Sequence, residues 1–417
     1  MKEHASLEVK EAITNTFLKT VSAYANYGTG IIQFGITDNG DIVGVQNSKD
    51  ACLVIENKIN DSIQPRPNYH ITVDENTHVI TLKVLEGASQ PYYYHAKAYK
   101  RNDTSTVEVD RIELNRLILQ GANQSFDELP AKDTTLHFSV LEAYMKRELH
   151  IAAVNNDILR TVGLETNEGV YNNAGALIAD TNNFSGIDCA RFGANIDTIL
   201  QREVFQHMSL LSQYDKVIKL YQNYYQYDVI NGALRKTVET VPEKAFREAI
   251  ANALVHRTWD VPTHIRVAMF DDRIEIYSPG GLPRGITQEE YLNGQVSLLR
   301  NPLLGALFFR LHIIENFGTG VARMRAAYEH SLTKPIHEFS DNTIKVTLPL
   351  LKDKHNLLPD EALMYEHITN TVDTSSKLAS ATAFGKNKTL KLLGQLTEKG
   401  YITKFGNGRG TRYKRNA

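Results

Sequence analysis

Cysteine is nearly absent from this chain, with only Cys52 and Cys189 in 417 residues. They are far apart and in apolar surroundings, so they fit reduced core thiols rather than a disulfide framework. No apolar run approaches the length of a membrane span, so no membrane-spanning helix is expected, and the near-neutral charge gives no expectation of a membrane partner. The N-terminal stretch lacks the apolar core of a secretory signal, and the cytoplasm is the expected location. A surplus of charge is missing as well. Lys plus Arg number 46 against 48 Asp plus Glu, for a net charge of −2. Any nucleic-acid binding therefore has to come from local patches. There is no phosphate-binding P-loop either. Gly385-Lys386 is followed by Asn387, and no earlier glycine stands at the required distance, so a motor of that type is excluded. The remaining composition, 42% apolar and 23% charged residues, is ordinary for a globular protein. The length suits roughly two to four domains.

The most informative stretch runs from Phe246 to Arg257 and reads as one helix. Pro242 can open a helix without losing a hydrogen bond, and Glu243 comes next, where the dipole favours negative charge. Phe246, Ala249, Ile250, Ala253 and Leu254 form an apolar stripe at three-and-four spacing. Glu248, Asn252 and His256 fall on a different row, each four residues from the next. Alone, this reads first as an amphipathic surface helix with a polar face. The segment after the helix favours a site: alternating strands at 265–270 and 273–277, then the glycine turn Ser278-Pro-Gly-Gly-Leu-Pro283. A second glycine pair, Gly318 and Gly320, opens another helix whose free N–H groups suit phosphate. A last strand begins at Thr343.

This order resembles the GHKL ATP-binding fold and, more closely, its divergent branch in bacterial regulators labelled RecG-like. The matching motifs are Arg247–Arg257, Asp272–Pro283, Arg300-Asn301-Pro302 and the Gly318/Gly320 pair, together about a third of the chain. The resemblance implies that Asn252 holds Mg²⁺ against the phosphates of ATP and that Glu248 orients or deprotonates an attacking water, making a weak ATPase. It places His256, Ser278, Gly280, Gly281, Gly318 and Gly320 around the nucleotide. In one departure, Ser278 stands where the GHKL turn offers adenine an aspartate. A hydroxyl accepts that hydrogen bond without charge.

Residues 1–125 form a first unit. A helix over 17–26 leads through Tyr27-Gly-Thr-Gly30 into a strand at Ile31. A turn at Asp38–Asp41 precedes an expected strand at 42–45, and further strands are expected at 79–85 and 98–101. Glu8-Val-Lys, Ala23–Gly30, Gly35–Gly44 and Tyr99–Thr106 resemble the AlbA-2 domain shared by bacterial regulators and Schlafen proteins. In many bacterial proteins it is taken to bind nucleic acid, which gives Lys100 and Arg101, beside Tyr92, Tyr93 and Tyr94, as the contact surface. Those tyrosines are equally able to pack a sheet. In Schlafens the domain is a metal-dependent RNA nuclease. Glu3, Glu8 and Asp38 have spacing suggestive of its triad, and three carboxylates can hold a divalent cation. The plain alternative is a mobile terminus at Glu3 and an ordinary Asp-Asn-Gly turn at Asp38.

Residues 126–200 read as a bridging region packed on the nucleotide fold, with a helix at 141–149, a buried strand within 172–179 and another at 190–196. A long helix is expected over 201–228, running into the GHKL-like domain at 201–352. After a polar break at 352–356, the unit from residue 355 to 417 carries helices at 362–371, 376–380 and 387–399, with Leu390, Leu393 and Leu396 facing inward. A strand, a glycine-rich tip and a strand complete it. Both the pattern and the ending Lys399–Tyr413 resemble the family's winged helix-turn-helix. From Lys377 onward, Lys377, Lys386, Lys388, Lys391, Lys399, Lys404, Arg409, Arg412, Lys414 and Arg415 face Glu398 alone. Lys386, Lys388, Lys391, Arg409 and Arg412 are the expected DNA contacts. A winged helix serving protein contact is the alternative.

The expectation is an α/β chain of the α+β multidomain kind: an AlbA-2 domain, a GHKL (Bergerat-type) α/β sandwich and a C-terminal winged helix-turn-helix. It would act as an ATP- and Mg²⁺-dependent DNA-binding transcriptional regulator without helicase activity, and a homodimer would suit paired half-sites. An ATP-gated nuclease and a scaffold with a dead pocket are the alternatives.

Overall fold

The computed structural model describes residues 3–231, 234–283, 285–294, 298–315, 318–352, 357–369, 372–406 and 408–415. The chain divides into two compact units, residues 1–126 and 127–417.

The first unit is built on a four-stranded sheet in the order Leu7–Lys10, Gly30–Phe34, Ile80–Val84, Tyr69–Val73. The first pair is parallel and the others antiparallel. The helix Phe17–Tyr27 buries Phe17, Val21 and Tyr24 against Ile32, Phe34, Leu82 and Val84. A second helix, Ser48–Ser62, adds Ile55 and Ile59 to the same core. Its apolar residues run together at 51–55 instead of recurring at helical spacing, and only Ile55 and Ile59 are buried, which is why the sequence pattern does not announce it. Gly30 lies against the Tyr24 ring, so a side chain there would displace the tyrosine. Tyr92 and Tyr94 are buried in the core and serve packing, not an exposed stacking platform. The expected strand at 42–45 is reduced to one bridge between Ile36 and Ile42. Ile42 and Val43 are exposed, so the stretch has no buried face to hold it in a sheet.

The second unit centres on a six-stranded sheet in the order Ile199–Phe205, Ile187–Phe192, Ile265–Met269, Arg273–Pro279, Thr343–Pro349, Ile336–Ser340. Among these described strands, only the junction of Ile187–Phe192 with Ile265–Met269 is parallel. The helix Glu243–His256 packs on Leu210–Tyr225, with Tyr221 and Phe246 stacked 4.6 Å apart.

Three sequence expectations change here. Residues 201–228 are not one helix: strand Ile199–Phe205 crosses the boundary placed at 200, helix Leu210–Tyr225 comes next, and Gln226–Asn231 pairs with Leu234–Glu239 as a hairpin. The bridging region thus supplies sheet strands rather than merely leaning on the fold. The apolar run at 172–179 is a short helix, Asn173–Ile178, because the Asn172 side chain accepts the Gly175 N–H and starts a helical turn. Leu390 is 43% exposed, while its neighbours Leu392 and Leu393 are buried.

The C-terminal part orders helix Pro359–His367, strand Asp373–Thr374, helices Ser375–Thr382 and Lys386–Glu398, and the hairpin Ile402–Phe405/Arg412–Arg415. The three strands form one sheet with Arg412–Arg415 central. Met364, Tyr365, Leu378, Leu393, Leu396, Ile402 and Tyr413 form its core. The expected break at 352–356 lies mostly outside the described residues. Cys189 is buried, Cys52 is half-buried, and both are free thiols.

Candidate functional site

Glu248 sits on the inner row of the helix Glu243–His256 and is almost fully buried. One of its oxygens, Oε1, accepts the Asn252 Nδ2–H at 3.3 Å, joining the two residues one helical turn apart. The other, Oε2, lies 3.3 Å from Arg323 Nη2. Arg323 comes from the helix Gly320–Ala327 and also stands 3.6 Å from Glu315. Among the described residues its buried Nε has no hydrogen-bond partner, so the ion pair leaves donor capacity unused. Burial pushes the Glu248 carboxyl above the usual range, partly countered by the Arg323 charge and the Asn252 hydrogen bond. A carboxylate so placed accepts a proton more readily than an exposed one.

Gly320 completes the cluster. A Cβ there would strike Glu248 Oε1 and come within 2.9 Å of Asn252 Nδ2. Only glycine lets the start of that helix approach the row so closely. Gly318 adopts φ +64° and brings its carbonyl against Gly294. The structure thus unites Glu248, Asn252 and Gly320, and it adds Arg323, which the sequence reading missed. Its signal is its position: a cation one turn into a helix opened by two glycines.

The other expected residues gather at the far end of the same helix. Ser278 is buried and its hydroxyl donates to the Ala253 carbonyl at 3.2 Å, tying the turn to the helix. Gly280, at φ +103°, is packed against Thr258 and Arg300, and Gly281 against the carbonyls of Ser340 and Asp341. Arg300 donates to the Gly281 carbonyl at 2.8 Å and to the Thr258 hydroxyl. These glycines are therefore used by packing. Burial, with the Arg300 charge nearby, pushes the His256 imidazole down to about 4, so it is neutral at pH 7. Two neighbours have structural duties. Asn301 is fully buried and donates to the carbonyls of Val255 and Arg257 at 2.7 and 2.9 Å, closing the helix end. Arg257 is equally buried and donates to the carbonyls of Ser185, Val261 and Thr263, with its guanidinium 4.0 Å from the Trp259 ring centre.

In the first unit two of the expected carboxylates have other partners. Glu8 is bound by Arg101 at 3.2 Å and Lys10 at 2.8 Å. Glu3 accepts the Val9 N–H at 3.0 Å, and Asp38 lies in its turn, away from the core. Among the described residues no group of three His, Cys, Asp or Glu side chains is placed to hold a metal ion. Lys100 is likewise engaged, with Glu113 at 2.6 Å, so Lys100 and Arg101 do not form the open basic surface expected of them.

At the C-terminal end, Lys388 pairs with Asp360, Lys377 with Asp373 and Lys399 with Glu361. Lys386, Lys391 and Arg412 are exposed and carry no ion pair among the described residues. The Arg409 side chain lies outside the described residues.

This architecture agrees with comparisons to known proteins. Residues 3–110 match the family described as Schlafen, AlbA_2, and residues 263–348 match that described as putative ATP-dependent DNA helicase recG C-terminal, HATPase_c_4. The chain therefore carries a Schlafen AlbA_2 domain at its N-terminus and a RecG-like HATPase_c_4 region toward its C-terminus. Among solved structures, the DIP2311 protein from Corynebacterium diphtheriae is similar at 22% identity and a TM-score of 0.50, over 99% of this chain and 92% of that one. The N-terminal domain of a putative ATP-dependent DNA helicase RecG-related protein from Nitrosomonas europaea aligns at 19% identity and a TM-score of 0.21, over 26% of this chain and 83% of that one. No curated protein matches the chain. Among the described residues no helix is long and apolar enough to cross a membrane.

Proposed function

We propose that this protein is a DNA-binding regulator whose DNA affinity responds to a nucleotide held at Glu248, Asn252, Gly320 and Arg323. The observation carrying this is the convergence of an amide, a buried carboxylate, a Cβ-free helix start and a guanidinium whose Nε has no hydrogen-bond partner among the described residues. That donor set fits a metal–phosphate group better than it fits a closed core. Asn252 would hold Mg²⁺, which supplies charge neutralisation for the phosphates of ATP. Gly320 and Arg323 would donate to the phosphates, and Glu248 would orient water for slow hydrolysis. Ser278, spent on Ala253, leaves base recognition without a charged acceptor.

We read residues 357–415 as a winged helix that contacts DNA. On the helix Lys386–Glu398, Lys386, Asn387, Leu390, Lys391 and Gly394 form one exposed face. Lys386 and Lys391, without an ion pair among the described residues, suit phosphate, and the exposed leucine suits an apolar base edge such as a thymine methyl. Coupling requires two states of the protein that differ in nucleotide affinity.

The test is calorimetric titration with ATP and Mg²⁺ on wild type and Asn252→Ala, then DNA binding with and without nucleotide. Binding lost in the variant, with a nucleotide-dependent change in DNA affinity in wild type, supports the reading. No nucleotide binding by the wild type would sink it and leave a DNA-binding scaffold.

A further inference from the structure

We infer that Phe405 stacks on an unpaired base, so that the C-terminal hairpin recognises DNA that is locally single-stranded; this rests on the DNA-binding reading above. Strand register sets the two faces of the small C-terminal sheet. Phe405 pairs with Arg412 and Thr403 with Lys414, while Thr374 pairs with Arg412 from the third strand. Directly opposed residues of antiparallel strands share a face. Phe405, Arg412, Lys414, Thr403 and Thr374 therefore lie on one side of this sheet. Tyr413 and Ile402 belong to the other side, buried in the core.

Phe405 is 46% exposed, whereas Tyr365, Tyr401 and Tyr413 nearby are all buried. Its ring thus contributes little to the core that the rest of the region builds. Arg412 and Lys414 are exposed beside it, without an ion pair among the described residues. Among the described residues of these strands no carboxylate shares this face. Asp373 pairs with Tyr413 on the buried side and is held there by Lys377 and Thr369.

An aromatic ring beside two such cations is the arrangement that meets a base on its π-face and the adjoining phosphates at once. A protein partner would have to bring carboxylates for both cations and an apolar group for the ring. A nucleic-acid strand supplies phosphates for the cations and a base face for the ring as a matter of course. In an intact duplex the base faces are already stacked, and exposing one means breaking its pairing and stacking first. The fitting partner is therefore a gap, a bulge or a single-stranded stretch.

The full-length chain tests this with two fluorescent probes of equal length: an intact duplex, and the same duplex with a short single-stranded gap containing 2-aminopurine. Wild type is expected to prefer the gapped probe and to change its 2-aminopurine emission on binding. Phe405→Ala should weaken the gapped complex about tenfold, the loss of one base stack, and abolish the emission change. Duplex binding should shift less than about twofold, and Phe405→Trp should restore the preference. Equal weakening on both probes, or no weakening on the gapped one, would overturn the stacking role while leaving duplex binding intact. Failure of the wild type to bind either probe would overturn the DNA-binding reading together with this one.

Discussion

Each unit holds a buried glutamate facing an arginine, and the two pairs are built to different ends. Glu8 and Arg101 have side chains only 5% and 6% exposed, and both come from strands, Leu7–Lys10 and Tyr99–Asn102, so the pair ties two sheet elements together. Glu248 and Arg323 come from two helices and are 9% and 24% exposed. Both arginines keep a buried Nε without a hydrogen-bond partner among the described residues, so the contrast lies with the acids. Glu8 is held by two cations, Arg101 and Lys10. Glu248 has Arg323 and an amide, and burial has raised its affinity for a proton. The first acid is compensated by two cations. The second keeps one close cation and a raised affinity for a proton.

The largest effect should come from breaking the doubly compensated pair. Glu8→Ala leaves Arg101 buried without its counter-charge and should cost about 3–5 kcal/mol. Hydrogen exchange over residues 7–34 would register it as lost protection. Loss of a divalent-dependent cleavage activity with protection unchanged would instead make Glu8 catalytic and dissolve the contrast. A second prediction concerns pH. The His256 imidazole titrates near 4 in the folded chain, against about 6.5 unfolded. Below the unfolded value the unfolded chain binds the proton that the folded chain refuses. Stability is therefore full above about pH 6.5 and falls as pH drops toward 4. His337, also pushed down to about 4 by burial, adds in the same direction. Thermal melts of His256→Gln should show a shallower loss across that window, and an unchanged slope would remove His256 from the account.

Breaking the pair with the single cation should do less. Glu248→Gln relieves a carboxylate already uncomfortable in its burial, so stability should change by under about 1 kcal/mol. Nucleotide binding should persist while any hydrolysis slows. A loss as large as that of Glu8→Ala would make the two pairs equivalent. The smallest effect belongs to Lys100→Ala, which removes a half-exposed pair with Glu113 and should cost under about 1 kcal/mol in chemical denaturation. DNA affinity should fall less than in Lys391→Ala, measured by anisotropy.

Much of this is legible in the chain. The helix Glu243–His256 can be read because its apolar stripe and polar row are separate, and Gly320 because no other residue permits that approach. Ser278, Gly280 and Gly281 fall in the expected turn but with other partners, since spacing cannot tell a glycine that admits ligand from one that admits Arg300. Lys100 and Arg101 look like a patch because their carboxylate partners, Glu113 and Glu8, are not their neighbours in sequence. Leu390 is turned inward by counting every third residue, where the helix face repeats at 3.6. The strand Ile199–Phe205 is lost to the helix behind it, for its side chains are mostly exposed and give no clean alternation.

The parallel junction of the large sheet has a consequence for how the protein is made. Strand Ile187–Phe192 cannot find its neighbour Ile265–Met269 until everything between them has left the ribosome. The Arg257 guanidinium that gathers the carbonyls of Ser185 and Thr263 arrives only then. Until that moment the nascent chain presents an open strand edge, and closing so long a loop is slow. The N-terminal unit, whose contacts are already synthesised, folds without waiting. The interval before the sheet closes is when this protein is most exposed to aggregation, and variants at Arg257 would lengthen it.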